Sequence, residues 1–129
     1  MSRTSLHSKA RIGAVVVLGR EVIAVGVNSA TKSHPLQAKY NMTYRNLYGQ
    51  CKHHLHAEFD AILRAINTSK ATLSDAKLYV YREHLDGRIG MCRPCKACMA
   101  YIKDMGITEI FYTTDAGLCS ENLIDFSLN

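Results

Sequence analysis

Two short clusters must converge if this chain is to use its cysteines together: His56-Ala57-Glu58 and Pro94-Cys95-Lys96-Ala97-Cys98. Cys95 and Cys98 are three residues apart, so on a helix they share one face, and two thiolates there can bind one tetrahedral ion. Pro94 suits a first helical position, because the N–H it lacks would have no partner there. A helix is therefore expected from Pro94 to Met105, with Gly106 as its stop. The other cluster opens a helix in which Phe59, Ile62, Leu63 and Ile66 recur at helical spacing, ending near Asn67. A fold that serves both clusters must bring two helix starts to one edge of a sheet.

The strands for such a sheet are legible. Gly13 to Gly19 (GAVVVLG) is a continuous β-branched run, as in a strand buried within a sheet. Val22 to Asn28 (VIAVGVN) follows the turn-like Gly19-Arg20-Glu21 and reads as its hairpin partner. Leu78 to Arg82 and Glu109 to Thr114 are further strands. Ser29 to His54 is irregular, punctuated by Pro35 and Gly49, and a loop that long is functional or contains a short helix. Glu83 to Arg93 forms a second loop around Gly87 and Gly90. The tail from Asp115 carries weak signals, read as a short helix around Glu121 to Phe126. The order β-β-α-β-α-β, a hairpin followed by crossovers, implies an α/β domain: a mixed β-sheet flanked by helices in layers. With 129 residues, 47% of them hydrophobic and 21% charged, the chain supports one domain over 1–129 with a true core.

Three protein ligands, His56, Cys95 and Cys98, leave the fourth position of a zinc ion open for water, as catalytic zinc sites do. A carboxylate at Glu58 needs no bond to the metal, and can take a proton from that water and pass it to a ring nitrogen and a departing amine. An H-x-E cluster followed by P-C-x-x-C is the pattern of zinc deaminases. A structural zinc is the alternative. Cys92 would be its fourth ligand, but the helix start at Pro94 sets Cys92 apart in the preceding loop, and Glu58 would then have no task.

Three of the five cysteines fall within seven residues, which suits a metal better than a disulfide framework. An odd count without a secretory signal points to a reducing compartment, and a cytoplasmic protein is expected. The apolar stretch from Ile12 to Leu18 is too short for a membrane span. A formal charge of +5 favours anionic partners such as nucleotides, yet no dense basic stripe interleaved with aromatics suggests a nucleic-acid surface.

On these residues the chain resembles the cytidine and deoxycytidylate deaminase superfamily over roughly Ile12 to Thr114. His56 to Ile62 (HAEFDAI) is similar to its dCMP branch. The resemblance implies a five-stranded mixed sheet, a zinc ion on His56, Cys95 and Cys98, and Glu58 as proton shuttle. It also implies substrate contacts at Asn28, Ala57 and the Arg93 carbonyl. Tyr112, near the end of the last strand, is a further candidate for lining the pocket. Lys32 to Tyr40 resembles a KTHP-type stretch of phage and bacterial deoxycytidylate-deaminase-like proteins, in which Lys32, with Lys39 and Arg45, would meet a phosphate. The implied reaction is conversion of a cytosine nucleotide to the uracil nucleotide, with dCMP the leading substrate. Two alternatives stand beside it: a cytosine or adenine base in single-stranded DNA or RNA, and a non-catalytic zinc-binding protein. Ser29-Ala30 stands where allosteric members are glycine-rich, so nucleotide regulation is not expected. A homo-oligomer is. Cys51, His53 and His54 offer a second metal cluster, and Tyr40, Tyr44 and Tyr48 a stripe on a short helix.

Overall fold

Alternation along the first strand decides which face of the sheet is covered. In β1 (Ala10–Leu18), Ala14 and Val16 are fully buried while Val15 and Val17 are only partly so, the period of two that a pleated strand imposes. The computed structural model describes residues 10–29, 33–45, 54–68, 73–84 and 89–124. β1 turns through Gly19, at a φ of 64°, into β2 (Glu21–Val27). A left-handed turn residue of this kind matches the twist of a tight hairpin, and glycine adopts it without strain.

The sheet has five strands in the order β2-β1-β3-β4-β5. β1 runs antiparallel to β2 and to β3 (Ala76–His84), β3 runs parallel to β4 (Glu109–Thr114), and β4 runs antiparallel to β5 (Gly117–Asn122). In register, Ala14 faces Gly26 and Val80, and Val16 faces Ala24 and Leu78, so one apolar face is continuous across three strands. This is the mixed sheet expected from the residue pattern.

Helix α2 (Ala57–Thr68) lies on that face. Glu58 and Asp60 in its first turn complement the helix dipole. Phe59 and Ile62 are fully buried and Leu63 partly, but Ile66 is exposed; the contact with β2 is made instead by Ala57 and Ala61 against Gly26. Helix α3 (Lys96–Asp104) supplies the crossover from β3 to β4 and buries Ala97 through Ile102. It starts later than the sequence suggested. Cys95 is its N-cap, with φ −69° and ψ 170°, and Pro94 stands in the extended segment before it.

The short helix expected within the long segment from Ser29 to His54 is present as α1 (Pro35–Arg45), which opens on Pro35. Its inward face is polar as well as apolar, with Gln37 and Asn41 both buried, which hides its period. Tyr40 packs edge-on against Phe59 and Tyr101, which stack on each other at 4.2 Å, so one aromatic cluster joins the three helices. Tyr44 stacks on Tyr40, whereas Tyr48 lies outside the described residues. The tail is corrected: Glu121 belongs to strand β5, not to a helix, and Phe126 lies outside the described residues. The Thr114 hydroxyl accepts from Ala116 N–H and donates to the Gly117 carbonyl, closing a turn whose Gly117 has φ 132°. Among the described residues, no helix is long and apolar enough to cross a membrane.

Candidate metal centre

His56 ends the segment leading into α2, Cys95 caps α3, and Cys98 lies one turn into it. Their donor atoms all fall within 4.8 Å of one another. His56 Nδ1 is 3.1 Å from Cys98 Sγ and 3.8 Å from Cys95 Sγ. A tetrahedral zinc with usual bond lengths separates its nitrogen and sulfur ligands by about 3.6 Å. The two distances bracket that value, and a two-sulfur, one-nitrogen set suits zinc chemically, so the residues fit the ion. Cys92 is not part of this triangle. It is buried, and burial pushes its thiol up to about 12, which keeps it protonated.

The two ligand thiols differ. Cys95 is lowered to about 4, first by its hydrogen bond with Cys98 and then by that with His56. Cys98 is raised well above the usual thiol range, chiefly by burial. Glu58 is almost fully buried beside Cys98, and burial raises its carboxyl above the ordinary value despite the opposing influence of His56.

His56, Glu58 and Cys95 line a cavity of about 450 Å³, a size typical of small-molecule sites, with Cys98 buried behind its wall. Of the residues singled out from the sequence, Asn28, Ala57, Glu58 and Arg93 line it together with His56 and Cys95. Asn28 also ties the sheet end: its Oδ1 accepts from Ile12 N–H at 3.3 Å, and its N–H donates to the Ile12 carbonyl. The Arg93 guanidinium clasps Glu121 through two hydrogen bonds of 2.6 and 3.1 Å. Tyr112 is not among the lining residues; its hydroxyl donates to Glu121 at 2.7 Å. Lys32, Cys51 and His53 lie outside the described residues, while His54 lines the cavity and Lys39 is exposed on α1.

Sequence reasoning missed the residues that hold this site in place. Asp60 accepts from Val27 N–H at 3.1 Å and from Arg64, fastening α2 to the end of β2. Thr113 fastens the segment before α3. Its hydroxyl accepts from Arg82 N–H and donates to the Gly90 carbonyl at 2.7 Å, while its own carbonyl accepts from Cys92 N–H. Asp60 carried a signal, a second acid two residues after Glu58 in an otherwise apolar helix start; Thr113 in a β-branched strand carried none.

Residues 1–114 match the family model described as the cytidine and deoxycytidylate deaminase zinc-binding region. No curated protein sequence matches the chain. Among solved structures, the apo dCMP deaminase from the cyanophage S-TIM5 is similar with a TM-score of 0.59 and 20% identity, over 88% of this chain and 73% of that one. The same enzyme in complex with dCMP and dUMP gives 0.58 and 20%, over 88% and 72%. Cytidine deaminase from Burkholderia pseudomallei gives 0.59 and 20%, over 92% and 79%. At this identity the likeness is one of fold.

Proposed function

The chain belongs to the cytidine and deoxycytidylate deaminase family, and from that premise we propose that its substrate is a free cytosine nucleotide, dCMP first, converted to dUMP. It is a zinc-dependent enzyme of hydrolytic deamination. The observation that supports the reading best is the triangle of His56, Cys95 and Cys98 donors beside a buried carboxyl, at the wall of a cavity of about 450 Å³.

In this proposal His56, Cys95 and Cys98 hold the zinc. When bound, the ion acts as a Lewis acid that makes water nucleophilic at neutral pH. Glu58 moves the protons. Its carboxylate takes one from the attacking water and delivers it to the ring nitrogen, then takes the second from the hydroxyl now on C4 and passes it to the departing amine, so that the C–N bond breaks and water and cytosine become uracil and ammonia. Burial lifts its affinity for a proton toward the range in which it can both accept and give one. Asn28, Ala57 and Arg93 line the cavity and hold the base and sugar in place. The dCMP preference draws support from the cyanophage dCMP deaminase that shares the fold.

A panel tests it: ammonia release from dCMP, CMP, deoxycytidine, dCTP and cytosine-containing oligonucleotides, with Glu58→Ala alongside. Turnover of dCMP that disappears in the variant while zinc is retained is the expected result. Turnover confined to oligonucleotides overturns the free-nucleotide reading, and no turnover anywhere overturns deamination.

A further inference from the structure

Arg82 lines the cavity, and the deamination chemistry gives it no task. In register it lies opposite Ile12 of β1, on the same face of β3 as the buried Leu78 and Val80. Its main chain is fixed on both sides: its N–H donates to the Thr113 hydroxyl at 3.0 Å, and its carbonyl accepts from Gly90 N–H at 3.0 Å. The side chain lines the cavity, yet its Nε is buried with no hydrogen-bond partner among the described residues. Burying a charged donor unpaired is costly, so a fold that keeps one is arranged for a partner that arrives later.

Acids on the surrounding elements have other partners: Glu121 holds Arg93, Glu83 accepts from Tyr81, Asp60 serves Val27 and Arg64, and the cavity's own Glu58 sits beside Cys98. Of the two cavity arginines, Arg93 is therefore neutralised by Glu121, while Arg82 has no ion pair among the described residues. Its charge reaches the Cys92 thiol, which also senses Glu58, so the cation stands near the reacting end of the cavity. Across the sheet, Asn28, Ile12 and Arg82 form one row: Asn28 bonds to Ile12, and Ile12 pairs with Arg82.

We propose that Arg82 binds the phosphate of the nucleotide and makes the enzyme select a nucleotide over a nucleoside. A guanidinium presents a planar fork of donors that matches phosphate oxygens two at a time, and the unfilled Nε is one tine of that fork. This inference rests on the deaminase reading of the site, but a binding measurement separates the two. The zinc-loaded full chain is titrated with dUMP and with deoxyuridine by calorimetry, as wild type, Arg82→Gln and Arg82→Lys. The wild type binds dUMP more tightly. Arg82→Gln loses about 10- to 100-fold in dUMP affinity, as loss of a charged hydrogen bond predicts, and leaves deoxyuridine unchanged. Arg82→Lys keeps the charge without the fork and falls in between. A wild type that binds both equally, or a folded Arg82→Gln that keeps the full preference for dUMP, overturns the proposal. If Arg82→Gln does not fold, an undiminished preference in Arg82→Lys overturns it as well. Parallel assays of dCMP turnover report on deamination itself: a wild type that binds dUMP through Arg82 but releases no ammonia refutes the deaminase reading and leaves the phosphate site standing.

Discussion

The side-chain oxygen of Gln37 accepts the backbone N–H of His56 at 3.1 Å, so a fully buried residue of α1 holds the peptide of a metal-ligand candidate. The Gln37 amide nitrogen is fixed in turn by Asn41 Oδ1 at 3.0 Å. N–H groups at a helix start have no partner in their own helix, and here a neighbouring helix supplies one. Replacing Gln37 by Leu leaves this donor unsatisfied and costs about 1–3 kcal/mol. Thermal unfolding is expected to shift down and zinc to be lost to a chelator at lower concentration. An unchanged melting temperature and zinc affinity would show that the bond does not position His56.

Gly26 sets how closely α2 approaches the sheet. A Cβ there would lie 2.5 Å from the Ala57 carbonyl oxygen and 2.9 Å from the Ala61 Cα, with the Ala61 nitrogen nearer still. All three are backbone atoms, which cannot swing aside as a flexible side chain would. Gly26→Ala must push α2 away, and with it the segment carrying His56 and Glu58. Overpacking costs about 1–3 kcal/mol when side chains can adjust, and here the loss belongs at or above the upper end. Denaturant unfolding measures it; a variant of wild-type stability would mean that the helix is not seated as described.

How legible all this was depended on where each element keeps its polar atoms. β1 and β2 announce themselves as apolar β-rich runs, α2 by apolar residues at the helix period, and α3 by the Pro94 start and Gly106 stop around it. The ligand clusters are legible because they sit at the starts of α2 and α3. The bounds of α1 were not legible because its buried positions include Gln37 and Asn41, whose amides bond to each other and to His56 rather than packing as apolar side chains. β5 is hidden for a related reason: Ser120 and Asn122 are exposed, and Glu121 is turned toward Arg93 and Tyr112, so no apolar alternation marks it. Its strand character comes from pairing with β4, a tertiary contact that local sequence does not record.

Ligand count separates a catalytic zinc from a structural one. Cys92 is buried near the site but outside the triangle of His56, Cys95 and Cys98 donors. Cys92→Ala is therefore expected to retain one zinc per chain, while Cys95→Ala and Cys98→Ala each lose it or hold it far more weakly. Metal analysis after dialysis reads this directly. Loss of zinc from Cys92→Ala would make Cys92 a fourth ligand and leave no position open for water.

Thr113 governs the segment that carries Cys92 and Arg93 into the cavity. Its hydroxyl bridges Arg82 N–H and the Gly90 carbonyl, and its carbonyl takes Cys92 N–H at 2.8 Å. Thr113→Val keeps the shape and removes only the hydroxyl, leaving two buried backbone groups short of a partner. Because Thr113 touches no metal-ligand candidate, the expected change is a rise in KM for dCMP of about tenfold with kcat less affected, from the loss of one to two hydrogen bonds. Thr113→Ser restores the hydroxyl and should recover most of it. A Val variant that loses kcat and zinc together would instead show general damage to the fold.

The Arg93–Glu121 clasp gives an acid-side signature with a definite sign. The hydrogen bonds from Arg93 hold the Glu121 carboxyl below its ordinary value, with Tyr112 adding to the effect and burial opposing it. A carboxyl whose folded pKa is depressed stabilises the fold above its unfolded value, about 4.3, and that contribution disappears as pH falls through the folded value. Glu121→Gln removes the titration. Stability of variant and wild type should differ most at neutral pH and converge in acid, so the wild-type curve falls more steeply below about pH 4.5. The Glu121 side chain is 27% exposed and Arg93 is 42% exposed, so solvent screening limits the neutral-pH difference to about 1 kcal/mol or less. Melting temperatures from pH 3 to 7 test it, with zinc content followed in parallel because acid also releases metal from thiolates. Parallel curves for the two proteins over that range would mean that the clasp contributes nothing to stability.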